Sequence, residues 1–174
     1  QGNLSPKYHP LSRPDYVEAE AIARFCYIAE AANVPIHIVH LSTAAGLEEA
    51  KRARARGQKV YIESCPQYFI LDDHLYNLPG FEGAKYVCSP PLRSVQDQQA
   101  LWNALGKGQI DSISTDHCSF CQKGQKELGL EDFSKIPNGM PGIEHRPVMM
   151  YTYGVAQGRM TENQMAGLLS ENAA

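Results

Sequence analysis

The chain has 174 residues, which suits one ordinary domain, and its 43% hydrophobic and 20% charged residues exclude a disordered chain. The net charge of −3 gives no general basic surface of the kind that binds nucleic acid or acidic membranes. No apolar run reaches the ~18 residues that a membrane span needs.

The first predicted element is a helix that follows an irregular start over residues 1–13. It begins near Pro14, with Ser12 just upstream as a candidate cap, and Asn33 and Pro35 end it. Helical spacing predicts its core face, which comprises Val17, Ala21, Ile22, Phe25, Ile28, Ala29 and Ala32.

Two strands and a second helix come next. A short apolar run over residues 36–41 has strand length, Thr43 can cap a helix over 44–56, and residues 59–64 form another strand. The basic stretch KRARAR in this helix is interpreted as a solvated face and not as a nucleic-acid site.

The second half of the chain contains long irregular segments directly after strands. They are predicted over residues 65–93 and 117–142 because turn formers are frequent there. Between them, Ser94 caps a helix to about Leu105, and a third strand covers residues 110–114.

The last two predicted elements are helices over residues 143–157 and from Thr161 to the end of the chain, with Gln164 completing a capping box. The alternation of strands and helices predicts three parallel strands joined by helical crossovers. Three such strands alone leave apolar outer edges without partners. Together with the start at Gln1, which lacks an initiator Met and a signal-peptide pattern, this predicts an internal piece of a larger domain.

Two residues at predicted strand ends carry the main functional hypothesis. His40 closes the run IHIVHLS and Asp116 follows the third strand in STDHCSF. In folds with parallel strands, metal ligands and catalytic groups lie at the carboxyl ends of the strands. The alternatives are a structural histidine and a capping carboxylate. His37 falls on the opposite face of the strand, and His117 is a candidate for orienting its neighbour by a hydrogen bond.

Three further patterns are weaker. The Cys118-x-x-Cys121 spacing lacks the second pair that a zinc or redox site requires. The five cysteines, an odd number without disulfide-scaffold spacing, predict reduced thiols and a cytoplasmic protein. Ser89 in CSPPLR and Asn138 in IPNGMPG lie in proline-stiffened loops, whose backbone groups could hydrogen-bond a small ring or could simply form turns.

Taken together, these segments resemble the hydantoinase/dihydropyrimidinase family of cyclic amidohydrolases. The matching segments are SPKYHPLSRP, HIVHLS, ESCPQY, LDDHLY, FEGAKYVCSPPLR, LWNAL, STDHCSF, QKELG, DFSKIPNGMPGIEHR and GVAQGRMTENQ. They cover nearly the whole chain in one order, and the segment around IPNG is most similar to bacterial D-hydantoinases and dihydropyrimidinases.

The resemblance implies an α/β fold, a partial TIM (β/α)8 barrel of the metal-dependent amidohydrolase type, with about strands 6–8 and their helices. Residues 1–174 would then be a fragment of a single barrel domain. It implies a binuclear metal centre, usually two Zn2+, in which His40 binds one ion and Asp116 binds the other and acts as general base and acid. Ser89 and Asn138 would contact the substrate ring amide, largely through backbone groups. The family's first-strand H-x-H pair, carboxylated lysine, fifth-strand histidine and metal-site tyrosine have no counterpart in the chain.

The activity that the resemblance implies is the opening of a hydantoin or dihydropyrimidine ring to the N-carbamoyl amino acid in the full-length protein, whereas the isolated fragment is expected to be inactive. The implied partners are a small cyclic amide and further copies in a tetramer, without nucleic acid or membrane. The alternatives are a sister cyclic amidase such as allantoinase or dihydroorotase, and a non-catalytic dihydropyrimidinase-related interaction protein. The intact residues His40 and Asp116 favour an enzyme.

Overall fold

Three short parallel strands in the order β1–β2–β3 form the centre of the fold. The structure is a computed structural model and describes residues 2–174. The strands are β1 (Ile36–Ile38), β2 (Val60–Ser64) and β3 (Ser112–Ile113). In the parallel ladders, Ile36 pairs with Val60 and Ser64 pairs with Ile113. The predicted α/β order with parallel strands is therefore confirmed.

Helices connect the strands and follow them. They are α1 (Tyr8–Leu11), α2 (Asp15–Ala32), α3 (Ala44–Ala55), α4 (Pro66–Ile70), α5 (Val95–Gly106), α6 (Arg146–Met150) and α7 (Glu162–Leu169). None of the helices in residues 2–174 has both the length and the apolar composition needed to cross a bilayer.

Side-chain caps begin three of these helices, as the sequence predicts. Thr43 accepts a hydrogen bond from the Gly46 N–H at 3.0 Å, and Ser94 accepts one from Asp97 at 3.2 Å. Thr161 forms a complete capping box with Gln164. Ser12 does not cap α2, because its hydroxyl donates to the carbonyl of His9 instead.

Some predicted boundaries are wrong. The strand predicted over residues 36–41 ends at Ile38, and the segment predicted as irregular after Ser64 contains α4, which Pro66 begins because its fixed φ suits the first helical position. α6 begins at Arg146 and continues into a π-helical turn, Tyr151–Val155. α7 ends at Leu169 rather than at the chain end, because the next residue leaves the helical region.

The predicted core face of α2 is correct only in part. Ile22 and Ala29 are buried, but Val17, Phe25 and Ile28 are 49%, 46% and 61% exposed. The helix packs on α3 and β1 along one stripe, whereas the second apolar stripe has no cover within residues 2–174. Spacing alone cannot distinguish two apolar stripes on one helix.

The sheet has the same asymmetry. Ile36, Ile38 and Ile62 are buried, whereas Tyr61, on the opposite face of β2, is 41% exposed. Val39, directly after β1, is 46% exposed. Each fully buried aliphatic side chain stabilises the fold by roughly 1.5–3 kcal/mol, so the covered face holds the strands in place. The loops at the carboxyl ends of the strands are thereby fixed relative to one another.

Candidate active site

His40 and Asp116 share an unusual backbone conformation beyond the ends of β1 and β3. Their φ angles are 43° and 47°, in the left-handed region that non-glycine residues rarely adopt. The remaining non-glycine residue of this kind in the described chain is Asn33, which ends α2. Such a conformation costs about 1–2 kcal/mol. Residues held in this way are frequent at functional sites, where surrounding contacts compensate the strain.

A buried ion pair supports the turn that carries His40. Glu18 and Arg93 contact each other at 3.2 Å, with side chains only 12% and 8% exposed. The Glu18 carboxylate accepts hydrogen bonds from the backbone N–H and the hydroxyl of Ser42, and Arg93 donates to the same hydroxyl at 3.0 Å and to the carbonyl of Arg13. Neither charged residue is predicted from the sequence, because nothing in their spacing indicates that they meet.

The end of β2 lies between the two strand-end candidates. The Ser64 hydroxyl donates to the carbonyl of Leu41 at 2.7 Å, and the Cys65 thiol contacts the Ser114 hydroxyl at 3.5 Å. Burial raises the pKa of Cys65 to about 12, and the nearby carboxylate of Asp116 adds to this rise. Cys65 is therefore a neutral thiol at neutral pH.

Ser89 lies in a segment with heavily bonded backbone, here called the serine loop (residues 87–93). His9 Nε2 donates to the carbonyl of Cys88 at 2.8 Å, and the Tyr68 hydroxyl donates to that of Pro90 at 2.9 Å. A shallow groove beside the loop is lined by both Ser89 and His40. The structure thus brings one predicted metal ligand next to one predicted substrate contact.

Asn138 lies in the asparagine loop (residues 136–142), which contacts the serine loop directly. The Ser89 hydroxyl donates to Asn138 Oδ1 at 3.2 Å, and the Gly139 N–H donates to the carbonyl of Val87 at 3.0 Å. Gly139 has a φ of 155°, and a Cβ there would lie 2.3 Å from the carbonyl oxygen of Cys118. Glycine at this position allows the asparagine loop to pack against the segment that follows Asp116.

Several backbone carbonyls of the two loops are already engaged in hydrogen bonds. The carbonyls of Val87, Cys88 and Pro90 accept hydrogen bonds, and so do those of Pro137 and Gly139. Within residues 2–174, the N–H and C=O of Ser89 and the C=O of Asn138 make none. These donors and acceptors are therefore available to a ligand that carries a complementary amide edge.

The remaining sequence candidates have other surroundings. His117 is exposed, and its Nδ1 accepts hydrogen bonds from the N–H groups of Gly142 at 3.1 Å and Ile143 at 3.3 Å, so it holds the asparagine loop. His37 lies 3.7 Å from the Glu63 carboxylate. Both cysteines of the Cys-x-x-Cys segment are exposed free thiols.

The donor set at the strand ends suits a divalent metal but is incomplete in residues 2–174. An imidazole and a carboxylate, as in His40 and Asp116, are common zinc ligands. The group of three potential ligands found in the described residues comprises Asp72, Asp73 and His74 and does not include either of them. A site at the strand ends would therefore need ligands beyond this part of the chain.

Comparison with known proteins gives consistent matches, although no family model matches the chain. It is 47% identical over 173 residues to a D-hydantoinase of Geobacillus stearothermophilus, covering 99% of this chain and 37% of that protein. Among solved structures, it is similar to a D-hydantoinase from a Bacillus species, with 46% identity and a TM-score of 0.97, and to a dihydropyrimidinase from Brevibacillus agri, with 43% identity and a TM-score of 0.97. Both alignments cover 99% of this chain and 38% of the other.

Proposed function

Because this chain is related by sequence and fold to the D-hydantoinases and dihydropyrimidinases, we propose that the protein containing it hydrolyses a cyclic amide. The substrate would be a hydantoin or a dihydropyrimidine, and the product the N-carbamoyl amino acid. The chain spans about 37% of the length of the curated relatives that it matches. The activity is therefore proposed for a full-length protein, in which residues 1–174 supply about strands 6–8 of a (β/α)8 barrel and remain inactive alone.

The observation that carries the proposal is the contact between the serine and asparagine loops. The free N–H and C=O of Ser89 and the free C=O of Asn138 match the alternating N–H and C=O groups of a cyclic imide or ureide. The carbonyls that directly flank Ser89 and Asn138 in the sequence are occupied by hydrogen bonds within the protein, so they do not compete for the ring. Such preorganised backbone groups bind a ring with little loss of conformational freedom.

His40 and Asp116 have the remaining roles in this proposal. His40 would bind one metal ion and Asp116 the second, and residues outside this chain would complete the binuclear centre, with zinc as the expected metal. Divalent ions held there would polarise the scissile carbonyl and supply a nucleophile at neutral pH. Asp116 would accept the proton of the attacking water and deliver it to the leaving ring nitrogen. Its exposed position in residues 2–174 leaves its carboxylate accessible for both tasks.

The decisive experiment is hydrolysis by the purified full-length protein. Hydantoin, dihydrouracil, allantoin and dihydroorotate are supplied separately, and ring opening is followed by the loss of ultraviolet absorbance and by mass spectrometry. We expect turnover of hydantoin or dihydrouracil and none by residues 1–174 alone. Turnover of only allantoin or dihydroorotate would identify a sister amidase, and no turnover with loaded metal would identify a non-catalytic relative. A tetrameric state and a cytoplasmic location stay predictions that gel filtration and fractionation can test.

A further inference from the structure

Lys126 joins the two loops of the candidate site by a single buried charge. The residue is 2% exposed, and Nζ donates to the carbonyls of Val87 at 2.8 Å, Pro137 at 2.7 Å and Gly139 at 3.0 Å. An ammonium group has three N–H donors, so all of them are used. A neutral amine has only two, so this arrangement requires the charged form. None of the ion pairs in residues 2–174 includes Lys126.

The three acceptors lie close to the backbone groups that are free for a ligand. Pro137 and Gly139 flank Asn138, and Val87 lies two residues before Ser89. The distance between the two loops therefore depends directly on Nζ. Hydrogen bonds from a charged donor are about twice as strong as neutral ones, and burial strengthens them further. The other links between the loops are a neutral backbone bond and the exposed bond between the Ser89 and Asn138 side chains.

We propose that Lys126 is a positioning residue that fixes the spacing between the backbone groups of Ser89 and Asn138, and thereby the ring size that the site accepts. This inference rests on the proposed function. Lys126 cannot contact the substrate through its ammonium, because all three donors are occupied within the protein. Five- and six-membered cyclic amides differ in the separation of their N–H and C=O groups, so a change in loop spacing alters their relative fit.

The test compares Lys126→Met with Arg54→Met in the full-length protein. Arg54 also donates to two backbone carbonyls, of Val60 at 2.9 Å and Gln109 at 2.8 Å, but these lie at the opposite ends of the strands. For each variant, kcat and KM are measured on hydantoin and dihydrouracil. We expect Lys126→Met to change the ratio of the two kcat/KM values by about tenfold or more, and Arg54→Met to leave it within about twofold.

A second readout does not depend on activity. Amide hydrogen exchange of peptides covering residues 86–92 and 134–141 should rise in Lys126→Met and stay unchanged in Arg54→Met. An unchanged ring ratio or unchanged exchange in the lysine variant would overturn the proposal. If the wild type opens neither ring, the proposed function fails, whereas exchange still decides whether Lys126 holds the loops. Lys126→Gln, which retains a polar group, serves if the methionine variant does not fold.

Discussion

The Ser89 hydroxyl donates a hydrogen bond to Asn138 Oδ1 at 3.2 Å, although 49 positions separate the two residues in the chain. This contact joins the serine and asparagine loops at their tips. It lies beside the free backbone groups of the same two residues and next to the groove lined by His40. The candidate site is therefore a junction of segments from distant parts of the sequence.

Loss of the side-chain contact should have a modest and shared effect, because we expect the backbone to bind the ring. Ser89→Ala and Asn138→Ala should each lower kcat/KM by about tenfold or less. Expressed as a free energy, the loss in the double variant should be about 1 kcal/mol smaller than the sum of the two single losses. This difference is the coupling energy of one neutral hydrogen bond. Steady-state kinetics of the three full-length variants measures this. A loss of about a thousandfold or more in Ser89→Ala alone would show that its hydroxyl contacts the reacting ring.

Replacement of the proposed proton carrier should nearly abolish turnover. In the full-length protein, Asp116→Asn should lower kcat by about 10²–10⁴-fold, because the amide cannot accept a proton and binds a divalent ion poorly. The matched control is Asp15→Asn, which changes an exposed carboxylate in the first turn of α2. Metal content by mass spectrometry should fall in the first variant only. Near-normal activity of Asp116→Asn would remove this residue from the mechanism.

The contact made by Gly139 predicts a steric effect on the site. Gly139→Ala would place a methyl group 2.3 Å from the carbonyl oxygen of Cys118, in addition to backbone strain. We expect KM to rise, because the asparagine loop must shift away from Cys118 and move the backbone groups that we propose bind the ring. Gly108→Ala is the control: its φ of 66° also disfavours a side chain, but no atom lies within 4 Å of the new Cβ, so it should cost about 1 kcal/mol without affecting KM. Equal KM values in both variants would contradict the prediction.

The buried pair of Glu18 and Arg93 should be important for stability. Arg93→Met leaves the Glu18 carboxylate buried without its cation and should lower the free energy of unfolding by about 3–5 kcal/mol. The exposed pair of Arg24 and Glu20 provides the control, and Arg24→Met should cost less than about 1 kcal/mol. Urea unfolding of the full-length variants gives both values. Similar losses in the two variants would show that the buried pair has no special role.

The buried imidazole of His9 predicts a pH dependence. Burial is the main reason that the pKa of His9 falls from 6.5 to about 4, and the cations Arg13, Lys126 and Arg93 lower it further. The unfolded chain therefore takes up a proton at a higher pH than the folded chain does. Stability is fully present above pH 6.5 and falls as the pH drops towards 4, by roughly 3 kcal/mol over the whole interval.

The variant His9→Gln tests this dependence, because its amide can still donate to the carbonyl of Cys88 but does not titrate. Unfolding free energies of both full-length proteins are measured at several pH values, so that the other titrating groups cancel in the difference. The wild type should lose more stability than the variant on acidification. If the unfolding free energies of the two proteins change with pH in parallel, His9 makes no contribution to the pH dependence of stability.

Local signals in the sequence determined much of the fold. The caps at Thr43, Ser94 and Thr161 depend on residues three positions away, and the helices start where these residues predict. The alternation of strands and helices predicted the parallel sheet, because helical crossovers are the usual connection between parallel strands. His40 and Asp116 were chosen as candidates because both follow apolar runs of strand length, and their roles stay predictions. The family resemblance rested on the order of short segments along the chain.

Only the tertiary structure decided how those segments meet. The contact between Glu18 and Arg93 spans 75 positions, and that between Lys126 and Val87 spans 39. Such pairs leave no periodic pattern, because their distance depends on how the intervening strands and helices pack rather than on local backbone geometry. From the sequence alone, a lysine in a polar segment is expected at the surface. Only the folded structure shows that Lys126 is buried among carbonyl groups. The sequence thus identified the chemical groups of the candidate site, whereas the packing of distant loops set their spacing.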